Sequence, residues 1–168
     1  MSKIPTPAEE SRFWGLIESA WERVGAEPNR LRKALSDRQS DDEAYAIDKY
    51  LNSFLDHLRA LSEPQSGEEL TALDRVLERK LFDLDRSDIQ EVTDGSDDGF
   101  LYCRGFIVAM GRDFFDAVTA SPEVAVLDAD CEAMCYFFAH LHHRRFGRFP
   151  DTGSGISRET ATNPAGWA

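Results

Sequence analysis

Cysteine is scarce in this 168-residue chain, and the three present, Cys103, Cys131 and Cys135, cannot all pair with one another. An odd set of thiols excludes a complete disulfide framework and points to a reducing, cytoplasmic setting. Long apolar runs are lacking too. The stretch Phe106 to Met110 falls far short of a membrane span, and Met1-Ser2-Lys3-Ile4-Pro5 has no secretory core, so a soluble protein is expected. Positive charge is also short: 19 Lys and Arg against 31 Asp and Glu leave a formal charge of −12. Such a field repels phosphate backbones and anionic lipid, which argues against nucleic acid and membrane as partners and favours a basic protein or a cation. The chain has no Gly-x-Ser-x-Gly elbow, no phosphate-cradling glycine loop and no His-Glu-x-x-His. No catalytic residue and no cofactor is assigned on these grounds, and the chain reads as a non-enzyme.

What is present is a regular succession of helix signals. Thr6-Pro7-Ala8-Glu9 supplies an N-cap hydroxyl, a helix-initiating proline and the reciprocal Glu of a capping box, and Phe13, Leu16, Ile17, Ala20, Trp21 and Val24 follow at helical spacing up to Gly25. Pro28 opens a short basic helix. Ser40-Asp41-Asp42-Glu43 reads as a second capping box, ahead of a helix carrying Ala44, Ile47, Tyr50, Leu51, Phe54, Leu58 and Leu61. Ser66-Gly67-Glu68-Glu69 is a third, before Leu70, Leu73, Val76, Leu77 and Leu81. A short helix is expected near Ser87. Phe100, Cys103, Ile107, Met110 and Phe114 form the most central stripe, bent or divided at Gly111, and Asp130 precedes a last helix with Cys131, Met134, Cys135, Phe138 and Leu141 on its face, ended by Gly147. No stretch alternates with period two for long enough to be a strand. The expected fold is therefore all-α: a single globular domain of about seven helices over residues 6–150, with residues 151–168 as a flexible C-terminal tail in which Trp167 could dock.

Charge is concentrated as well as excessive. Between Asp83 and Asp98 there are seven acids and a single base, Arg86. Within that stretch Asp94-Gly95-Ser96-Asp97-Asp98-Gly99 imitates the first half of a calcium loop, but the position of the closing Glu is taken by Gly105. A helix cap explains the same residues: Ser96 at the N-cap, Asp97 and Asp98 in the first turn beside the positive end of the helix, and Gly99 allowing close packing. The binding residues proposed from the sequence are Asp94, Ser96, Asp97, Asp98, Phe100 and Arg104, with no metal assigned.

These residues also carry a resemblance. Phe13-Trp14-x-x-Ile17, Asp83-Leu84, the block Ser96-Asp97-Asp98-Gly99-Phe100 with Arg104-Gly105-Phe106-Ile107 and Gly111, and Cys131-Glu132 together resemble the bacterial domain-of-unknown-function family 4240 (DUF4240) over roughly Ser11 to Pro150. Members of that family also occur fused to WGR domains in proteins labelled molybdate-metabolism regulators. The family pattern usually has Asp-Leu-Trp where this chain has Asp83-Leu84-Asp85. The resemblance implies a helical fold and brings no activity with it.

Other groupings read as structural. Cys131 and Cys135 continue an apolar stripe and are expected to be buried thiols rather than Zn²⁺ ligands with His140, His142 or His143. His142, Arg144, Arg145 and Arg148 suit the negative end of their helix, or a dock onto the acidic segment. Arg104 is expected to form an internal ion pair with Glu132 or Asp83. The functional reading is an interaction or regulatory module presenting its acidic surface near residues 83–98 to a basic protein. The alternatives are a metal-binding module or metal-dependent enzyme at Asp94–Asp98, and a tail to Trp167 that acts as a linear motif.

Overall fold

The computed structural model describes residues 1–94 and 96–168, and among them there are helices and turns but no strand. The first helix, α1 (Pro7–Val24), starts where the local chemistry demands: Thr6 Oγ1 accepts from Glu9 N at 3.1 Å while Thr6 N donates to the Glu9 carboxylate at 3.3 Å. Its buried face carries Phe13, Trp14, Ile17, Ala20 and Trp21. Trp21 is the anchor of this face, with its ring stacked on Phe54 at 4.6 Å and its Nε1 donating to Ala109 O at 2.8 Å. Burying an indole is favourable only when that N–H finds an acceptor.

The basic helix α2 (Ala26–Lys33) follows, and α3 (Asp41–Tyr45) and α4 (Leu51–Ser62) come after it. The sequence predicts α3 and α4 as one helix. They are separated instead by a tighter turn at Asp48–Tyr50, where Ile47 N bonds to Ala44 O and Tyr50 N to Ile47 O across three residues rather than four. Ser40 precedes α3 without a side-chain cap bond, so the capping box predicted there does not form. The one at Ser66 does: α5 (Gly67–Asp83) begins with Ser66 Oγ accepting from Glu69 N and Glu69 returning to Ser66 N. A reciprocal cap of this kind is worth about 1 kcal/mol.

Helices α6 (Ser87–Thr93), α7 (Asp97–Ala109) and α8 (Arg112–Ala120) complete the middle of the chain. Gly111 divides α7 from α8 at φ +99°, and a side chain there would meet the Arg32 guanidinium, which ties Met110 O and Glu18 to α2. The last long helix, α9 (Phe137–Phe146), starts later than Asp130 predicts. A single tight turn at Glu132–Met134 comes first, lying against α7 so closely that a Cβ on Gly105 would come within 2.7 Å of Cys131 O and Cys135 Sγ. Helix α1 packs on α4 and α5, α5 on α7 and α9, and one continuous core runs through them. Among the described residues no helix is long and apolar enough to cross a membrane.

Residues 151–168, which composition predicts to be flexible, lie against these helices and end in a short turn, α10 (Pro164–Trp167). The segment has few apolar side chains, and its N–H groups and side chains are held by buried charges of the domain. Asp85, 0% exposed, accepts from Ala161 N, Thr162 N, Asn163 N and Trp167 Nε1 at 2.8–3.0 Å. Trp167 also meets Phe100 edge to face.

Candidate binding face

The acidic turn is first a helix cap. Asp94, at the end of α6, accepts from Ser96 N at 2.7 Å and Ser96 Oγ at 2.8 Å, and Ser96 Oγ in turn accepts from Gly99 N at 3.2 Å. These bonds hold the Asp94 carboxyl below its ordinary range. A Cβ on Gly99 would fall 2.2 Å from Asp94 Oδ2, so the turn closes only over a glycine. The calcium-loop reading includes Gly95, which lies outside the described residues. Among those described, no group of three or more His, Cys, Asp and Glu residues is arranged to hold a metal ion.

The six residues proposed from the sequence fall into two sets. Asp97 and Asp98 are exposed at the start of α7, with Asp94 and Ser96 beside them. Phe100 and Arg104 are both 0% exposed and offer no surface to a partner. Arg104 forms no ion pair with Glu132 or Asp83. Its guanidinium stacks over Phe100 at 4.7 Å and donates to Leu81 O, Arg158 O and Thr160 Oγ1, tying α5 and the C-terminal segment to α7. Burial lowers the affinity of Arg104 for its proton. Two further acids of the stretch are engaged. Asp88 takes both of its bonds from Arg86, and Asp85 holds the tail. The basic end of α9 docks elsewhere than on this stretch, with Arg144 on Glu63 and Arg145 on Gln65 O.

Asp98 opens onto ground that the sequence pattern does not reveal. It borders a cleft of about 530 Å³ with Glu132 and Glu159, backed by Tyr102 and Tyr136. Glu132 raises the Tyr102 phenol above its usual value, a sign of the negative potential here. Tyr136 and His140 are shared with a second cleft of about 480 Å³, lined also by Asp74, Glu78, Phe149, Asp151 and Arg158. At its floor Arg158 Nη2 pairs with Asp74 Oδ2 at 2.7 Å, while Nη1 donates to Cys135 O at 2.6 Å and the guanidinium lies over the Tyr136 ring at 4.8 Å. Burial raises the Asp74 carboxyl despite the opposing pull of Arg158.

One signal for this second cleft was in the sequence: Asp74 sits among Leu70, Leu73, Val76, Leu77 and Leu81, an acid on the apolar stripe of its helix. A buried acid asks for a cation. That cation, Arg158, lies 84 residues further along, in the segment composition marks as free.

Among the described residues the cysteines belong to no group arranged to hold a metal ion. All three are unpaired and buried, and burial pushes Cys103 and Cys135 up to about 12 and Cys131 up to about 11.

The family model for "Protein of unknown function (DUF4240)" matches residues 8–142, from the first turn of α1 to the middle of α9. The chain belongs to this family. No curated protein and no solved structure matches it. The matched span contains the cap at Asp94–Asp98, Tyr136, His140, Asp74 and Asp85, whereas Asp151, Arg158, Glu159 and Trp167 lie beyond it. Both clefts are thus walled partly by the family domain and partly by the segment that follows it in this chain.

Proposed function

We propose that the domain is a non-catalytic interaction module that takes a basic segment of a protein partner on the acidic face running from Asp97 and Asp98 across Glu132 and Glu159. One observation carries the reading: the cleft beside Asp98 is lined by three carboxylates with no Lys or Arg among them, and its back is aromatic. Carboxylates around tyrosine rings suit a Lys or Arg side chain, whose charge meets the acids while its stem lies on the rings. Such a surface steers a basic partner more than it tightens the final complex. The unpaired thiols support a reducing, cytosolic place of work.

The test is affinity capture from the native organism by the full chain, followed by titration of the captured basic protein against a variant carrying Asp98→Asn, Glu132→Gln and Glu159→Gln. Expected is a loss of roughly tenfold or more in affinity for the variant, and for the wild type a marked weakening as salt rises past physiological strength. Equal binding by the variant, or binding indifferent to salt, overturns the reading.

A further inference from the structure

The second cleft differs from the acidic face in having one polar atom that nothing satisfies. Asp74 is 2% exposed, its Oδ2 is bonded to Arg158, and its Oδ1 is buried with no hydrogen-bond partner. Buried carboxylate oxygens in folded proteins are ordinarily bonded, and an orphan acceptor marks a place where a donor belongs. The neighbouring acid does not share the deficit, because Glu78 Oε1 accepts from Thr152 Oγ1 and Ser154 Oγ.

The charge of the lining fixes the sign of the missing donor. Asp74, Glu78 and Asp151 against Arg158 leave −2, and the Arg158 guanidinium is already spread over Asp74, Cys135 O and the Tyr136 ring. An anion would find no available cation there. A metal ion would find Asp74 Oδ2 and Glu78 Oε1 already engaged. Aromatic side chains stand at the rim: Phe149 is 59% exposed, stacked on His143 at 4.4 Å and near His140 at 6.2 Å. Acids at the floor and rings at the mouth suit a cationic head on an apolar stem.

We infer that this cleft binds a single organic cation, an alkylguanidinium or alkylammonium group, whose N–H donors reach Asp74 Oδ1 while Phe149 and Asp151 hold it at the mouth. The inference goes beyond the acidic-face reading and rests on different carboxylates, so either can fail alone although Tyr136 and His140 border both clefts. The cation could arrive as a small free amine or as a side chain of a peptide, and the chemistry recognised is the same.

The experiment titrates the full chain, by calorimetry and by NMR shifts of the Phe149 ring, which borders this cleft and not the acidic one, with three probes: Nα-acetyl-arginine methylamide, the peptide Gly-Ser-Arg-Ser-Gly, and Nα-acetyl-citrulline methylamide. Saturable binding of either arginine probe with none of citrulline is expected. Equal affinity for the two shows that the cationic group alone is recognised, whichever molecule carries it, and binding of the peptide alone assigns the site to a partner's side chain. Asp74→Asn should weaken binding by about tenfold or more, as loss of a buried charge partner does. Because Asp74 also holds Arg158, two rim variants decide the matter should that protein not fold: Asp151→Asn should weaken binding, and Phe149→Ala should do so by about threefold. Uptake of citrulline equal to that of arginine, no saturable binding of either cation, or unchanged affinity in both rim variants overturns the inference. Loss of this site with the Asp98, Glu132 and Glu159 surface still binding its partner would leave the proposed function standing.

Discussion

Trp167 Nε1 donates to Asp85 Oδ1 at 2.9 Å, and this bond joins the last turn of the chain to the C-terminal end of α5. The same carboxylate receives three backbone N–H groups from Ala161, Thr162 and Asn163. A carboxylate wholly removed from water is tolerable only when donors replace the water it lost, and here the C-terminal segment supplies them. Position 85 lies just past the end of α5 and is wholly buried. In this chain an acid stands there, and an indole from 82 residues further on lies against it.

The segment should therefore behave as part of the domain. Asp85→Ala removes the acceptor of five hydrogen bonds, the fifth a long one from Thr162 Oγ1, and should cost about 3 kcal/mol, since such bonds act as a set and not additively. For a chain of this size that is a fall of roughly 6–12 °C in Tm. Ending the chain after Pro150 should cost more, because it also strips Arg158 from Asp74 and removes two of the acceptors of Arg104. Thermal unfolding followed by circular dichroism measures both. A truncated chain that melts with the full-length protein would show that the segment is a dispensable linear motif, as its composition alone suggests.

What could be read from the sequence was what neighbouring residues decide. The capping boxes at Thr6 and Ser66, the division at Gly111 and the burial of the cysteines are settled within a turn or two of chain, so spacing reveals them. Asp94, Ser96 and Gly99 were legible as a cap for the same reason. Arg104 was not, because its acceptors are carbonyls at Leu81 and Arg158, and carbonyls leave no mark in a sequence. Composition does not reveal how the C-terminal segment is held, because it counts apolar side chains, whereas this segment is bound through backbone N–H groups, Trp167 and Arg158. The candidate site followed the same rule. Asp98 lay in view, but the clefts exist only once Phe149, Asp151, Arg158 and Glu159 have folded back over α5 and α9.

The thiols give a check on core packing that needs no partner. With Cys131 raised to about 11 and the other two to about 12, the thiolate fraction at pH 8 is roughly a few hundred-fold or more below that of an ordinary cysteine near 8.5. All three are also nearly sealed from solvent. Ellman's reagent should titrate three thiols rapidly in denaturant and almost none on the same timescale in the native protein. A single thiol reacting natively at the rate of a free cysteine would contradict the packing of α7 against the turn at Glu132–Met134.

Asp74 and Asp94 should imprint opposite pH dependences on stability. Burial raises the Asp74 carboxyl, so the folded chain holds that proton more tightly than the unfolded chain, where the group titrates near 3.8. Wherever the folded state binds more protons, stability falls as pH rises. The Asp74 contribution is therefore most favourable below the unfolded value and is lost as pH climbs through the folded one. Asp94 is lowered by its bonds from Ser96, so its contribution is present above the unfolded value and is lost as pH falls through the folded one. In paired melts, the Tm of wild type minus that of Asp74→Asn should shrink from pH 4 to pH 7, whereas the difference for Asp94→Asn should hold nearly level over that range and fall away as pH drops below about 3.8. Arg158, Glu78 and His142, the charged and titratable neighbours of Asp74, are present in both proteins of the Asp74 comparison and largely cancel. Should the Asp74 difference instead widen as pH rises, the pull of Arg158 outweighs burial, and the carboxylate is fully paired in the native state.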